Sequence, residues 1–157
     1  IIKMLSSQCY HKSMILIPEQ ADNNIFTFLE SQIQITDRQI TSFMRSKNFI
    51  SLISSGSFLF ENSQHFLSFT GESKKHQATR MGCILGRLAA AESYSYPQGS
   101  LFFSFIQLYV QFRALGYPPS MMQAACLIKY HTSKNVIWKI IAESITFAEK
   151  MTLHKNF

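Results

Sequence analysis

Read by the alternation of apolar and polar positions, the chain is mostly helical, and one segment is apolar on nearly every face. In residues 100–116 (SLFFSFIQLYVQFRALG), Leu101, Phe102, Phe103, Phe105, Ile106, Leu108, Tyr109, Val110, Phe112 and Leu115 leave only short polar breaks. Pro97-Gln98-Gly99 precedes it, Ser100 stands where a side-chain oxygen receives a first-turn amide, and Gly116 before Tyr117-Pro118-Pro119 stops it. A membrane span needs roughly 20 apolar residues. This run is shorter and contains Gln107, Gln111 and Arg113, so the pattern predicts a helix buried by its neighbours.

The elements around it follow from the same periodicities. Residues 75–93 predict a helix with a line of small residues, Gly82, Gly86, Ala90 and Ser93, which would let the apolar helix approach closely. Ser120 is placed to cap a short helix over 121–130, and Ser133 to cap a last one. In that last helix Ile137, Ile140, Ile141, Ser144, Ile145, Ala148 and Met151 make a continuous face, with Trp138 off its main stripe. Nearer the start, Ile25, Phe26, Leu29 and Ile33 recur at helical spacing behind Asp22 and Asn23. Thr36-Asp37-Arg38-Gln39 has the form of a capping box, followed by a stripe at Ile40, Phe43, Met44, Lys47, Ile50 and Ser54 that ends at Gly56. Residues 57–70 fit a hairpin or a helix, and the two apolar runs in residues 1–17 fit a hairpin or a helical fragment.

These elements predict a mainly α fold: a compact domain of five to seven helices around an apolar central helix, with a small β-hairpin at the N-terminus or at residues 57–70. The length, 157 residues, suits a single helical domain over 1–157, with residues 1–18 read as the tail end of a truncated N-terminal region, since the chain opens on Ile1. Residues 107–130 resemble one unit of the tetratricopeptide or pentatricopeptide kind, two helices around a small turn. No second copy follows at a period of about 34, so no repeat family is assigned.

Composition adds a surplus of apolar side chains. Hydrophobic residues make up 46% and charged residues 15%, with 14 Phe and 7 Met, which argues against a disordered chain and leaves apolar area for a partner to cover. The net charge of +6 comes from 15 Lys and Arg against 9 Asp and Glu, scattered rather than massed. Cys9, Cys83 and Cys126 are odd in number and widely spaced, which argues against a disulfide framework and for the cytoplasm or another reducing compartment.

Tests for chemistry return little. Cys9-Tyr10-His11 is the only tight pair of metal-ligating types, and His65, His76, His131 and His154 stand apart, so no metal site is assigned. Cys83 and Cys126 fall in helical apolar patterns, where a cysteine is a small inert core residue. Neither Ser55-Gly56-Ser57 nor the glycines at 82 and 86 carry the lysine and hydroxyl of a phosphate-binding loop. No catalytic residue and no cofactor follow. The expectation is therefore a non-enzymatic protein–protein interaction module, an adaptor, chaperone or subunit of a larger complex, docking through exposed apolar residues. Trp138, Met121, Met122 and Phe147 are the candidate partner-binding residues. The alternative is a nucleic-acid-associated subunit of a ribonucleoprotein, with Lys74, Lys75, Arg80 and Arg87 against phosphates.

Overall fold

The computed structural model describes residues 24–28, 31–45 and 76–154. They form three strands, β1 (Ile25–Phe28), β2 (Ser31–Ile35) and β3 (Ile40–Met44), then four helices, α1 (Gln77–Tyr94), α2 (Leu101–Ala114), α3 (Pro119–Ser133) and α4 (Val136–His154). The fold is mainly helical, as the pattern predicts, but among the described residues there are four α-helices rather than five to seven. The sheet lies where two helices were expected, and not at the N-terminus or at residues 57–70, which fall outside the described residues.

The apolar segment is α2, and one side of it is buried in the core while Phe103 and Ile106 face solvent. Leu101, Phe105, Leu108 and Phe112 are buried together with Ile84 and Leu88 of α1, Met122 and Cys126 of α3, and Trp138 and Ile141 of α4. The Trp138 ring meets Phe105 edge-on, with centroids 6.3 Å apart. Gly116 ends α2 as expected: with φ at 87° it donates to the Arg113 carbonyl while Tyr117 donates to that of Phe112. This paired arrangement satisfies the last free carbonyls, and glycine enters it without a Cβ clash. The start differs from expectation. Ser100 closes a short 3₁₀ turn (Gln98–Ser100) in helical conformation, and its hydroxyl donates back to the Tyr96 carbonyl at 3.1 Å.

Two further caps are corrected. Ser120 lies inside the first turn of α3, which Pro118 precedes and Pro119 opens. Such a start needs little capping, because proline lacks an N–H that would otherwise go unsatisfied. Asn135, not Ser133, caps α4: its Oδ1 accepts the Ile137 amide at 3.1 Å, whereas the Ser133 hydroxyl donates to the Lys129 carbonyl. Lys134, left-handed at φ 60°, turns the chain between α3 and α4. A bond from Gln123 to Thr146 ties the two helices together far from that turn, so they run antiparallel.

The small-residue line of α1 does not carry the packing. Arg80, Ile84, Leu88 and Ala91 face inward, while Gly82, Gly86 and Ser93 are exposed. A Cβ built at either glycine would meet nothing within 4 Å. Four larger residues at spacings of four, four and three offered more area to bury than the glycines did, and they set the helix's rotation.

The sheet is an antiparallel meander in the order β1-β2-β3. Thr36 and Gln39 do not form the expected capping box; they bond each other through their backbones across a two-residue hairpin. The Thr36 amide donates to the Gln39 carbonyl at 2.9 Å, the Gln39 amide returns at 3.4 Å, and the Thr36 hydroxyl joins at 3.1 Å. The stripe from Ile40 is therefore a strand as far as Met44. Its continuation to Gly56 lies outside the described residues.

Candidate docking surface

The strand register divides the sheet into two faces. Phe26, Ile33 and Ser42 are cross-strand neighbours, as are Ile35 with Ile40 and Ser31 with Met44. Side chains alternate along a strand, so these residues share one face. The opposite face carries Ile25, Thr27, Gln32, Gln34, Thr41 and Phe43, with Arg45 donating to the Thr27 hydroxyl at 2.9 Å.

At one end the apolar face is sealed against the helices. Met44 and Ser31 are buried there. The outer edge of β3, which would otherwise present unpaired peptide groups, is taken up in sequence. Ser42 exchanges two backbone bonds with Tyr96, at 2.6 and 2.8 Å. The Met44 amide donates to the Ser104 hydroxyl at 2.8 Å, and the Met44 carbonyl accepts from Gln107 Nε2 at 2.7 Å. Ser104 also shares a 2.7 Å bond with Ser95. Ser104 and Gln107, two polar residues of the apolar helix, thus serve the sheet edge.

At the other end the same face runs past the helices into solvent. Phe26, Ile35 and Ile40 are exposed, and Tyr96, at the turn between α1 and α2, is 65% exposed. Ile35, Ile40, Tyr96 and Pro97, together with hairpin residues 36–39, line an open depression of about 580 Å³. Along α2, Phe103 and Ile106 are also exposed, and the Phe103 ring lies 6.1 Å from that of Phe43.

The residues expected to meet a partner are not brought together on this surface. Trp138 and Met122 are both 0% exposed and Met121 is packed against the core, whereas Phe147 is 66% exposed. The inward stripe of α4 is Trp138, Ile141, Ala142 and Ile145, rotated from the expected one, so Trp138 is core and Ile140 faces out. Burying the largest side chain of the helix outweighs burying Ile140. Of the basic set, Lys74 and Lys75 lie outside the described residues. Arg80 is 8% exposed, with its guanidinium 5.9 Å from the centre of the Tyr117 ring, and the half-buried Arg87 has its Nε shielded from solvent. Arg80 is thus withdrawn from solvent, while Arg87 keeps partial exposure.

One polar cluster had little sequence signal. Glu92, the single carboxylate of α1, pairs with Lys129 of α3 at 2.8 Å and accepts from the Asn135 amide side chain at 3.0 Å. Partial burial pushes its carboxyl up, but the bonds from Lys129 and Asn135 and the lysine's charge outweigh that and hold it below the ordinary carboxylate value. The Trp138 indole N–H pulls the same way, although its geometry falls short of a hydrogen bond. The cluster fastens the α3–α4 turn to α1. A lone acid in a helix whose other charged residues are arginines was the only local hint of it.

Burial pushes the Cys126 thiol up to about 12, which removes it as a nucleophile near neutral pH. Among the described residues no three His, Cys, Asp or Glu side chains are grouped to hold a metal, and no helix is long and apolar enough to cross a membrane. Compared with family models, curated proteins and solved structures, the chain matches none.

Proposed function

We propose that this chain is a non-enzymatic protein–protein interaction module, an adaptor, chaperone or complex subunit, that docks through exposed apolar side chains. The observation that carries this reading is the overhanging sheet face, where Ile35, Ile40 and Tyr96 lie in solvent around one open depression and Phe26 is exposed on the same face. Apolar residues gathered in this way are what a partner covers. Of the residues singled out from sequence, Phe147 remains available as a second contact.

Photo-crosslinking in the native cell tests the proposal. A photoreactive residue at Tyr96 should capture a discrete polypeptide that one at the exposed Ser120 does not. The complex should survive about 1 M salt, where charge attraction is screened within about 3 Å, and Ile40→Asp should abolish capture while changing stability by no more than about 1 kcal/mol. Capture of RNA or DNA whose binding falls steeply with salt would favour the ribonucleoprotein alternative. Equal capture from both positions would overturn the docking surface.

A further inference from the structure

We draw no further inference here: the strongest candidate, the exposed apolar line of α4 at Val136, Ile140 and Phe147, is an unpartnered helix face, and nothing in the structure shows what covers it.

Discussion

Replacing Gln111 with methionine should stabilise the protein, and the same change one helical turn earlier, at Gln107, should destabilise it. Both glutamines are buried on α2. Gln107 donates its amide to the Met44 carbonyl, whereas neither polar atom of Gln111, which is 0% exposed, has a hydrogen-bond partner among the described residues. A buried polar group left unmatched costs about 1–3 kcal/mol. Methionine has a similar length and helix propensity, so Gln111→Met should gain about 2 kcal/mol. At this chain length that raises the unfolding midpoint by about 4–8 °C. Gln107→Met strands the Met44 carbonyl in the interior and should lose a similar amount. Thermal melts and urea titrations, the latter with an unchanged slope to confirm an unaltered unfolding transition, read both. A Gln111→Met protein no more stable than wild type would refute the reasoning, as would two shifts of the same sign.

Further outcomes follow from other parts of the molecule. Gly82→Ala and Gly86→Ala should each stabilise by about 0.5–1 kcal/mol in thermal melts, because nothing lies within 4 Å of the added methyl; destabilisation would mean the line is closely packed after all. Glu92→Gln should cost about 1 kcal/mol near neutral pH. The folded-state pKa of Glu92 lies below the ordinary 4.5, so its contribution is present above that value and is lost as pH falls through the lower one. The gap between wild type and variant should therefore close under acid, and a gap independent of pH would remove the ion pair from the account. In a Cys9→Ser background, a thiol reagent at pH 8 should modify the partly exposed Cys83 in the native protein and Cys126 only after denaturant is added.

The helices were legible where a strong period met punctuation. Residues 100–116 carried apolar side chains around the whole circumference and a glycine stop, and no competing element satisfies that pattern. The strands were misread because Ile25, Phe26, Leu29 and Ile33 match a helical period while Ser31-Gln32-Ile33-Gln34-Ile35 alternates strictly, and a five-residue alternation is outvoted when a longer window is scored. Thr36 and Gln39 are mutual partners in both a helix start and a tight hairpin, but a capping box satisfies their amides with side-chain oxygens and the hairpin with backbone carbonyls. What decided between them is distant in sequence: Ser104 and Gln107 on α2 supply the edge that β3 needs. The candidate surface was invisible for a related reason. It exists only because the hairpin projects beyond the helices beside Tyr96 and Pro97, whereas Trp138 and Met122, conspicuous as residue types, were consumed by the core.

The stitching of Met44 to Ser104 and Gln107 bears on how the molecule comes apart. Melting the strands alone would abandon two interior side chains on α2, and melting the helices alone would bare one whole flank of the meander to any passing chain. Each half thus guards the other's weakest groups, which favours loss of structure in a single concerted step over a lingering partly open form.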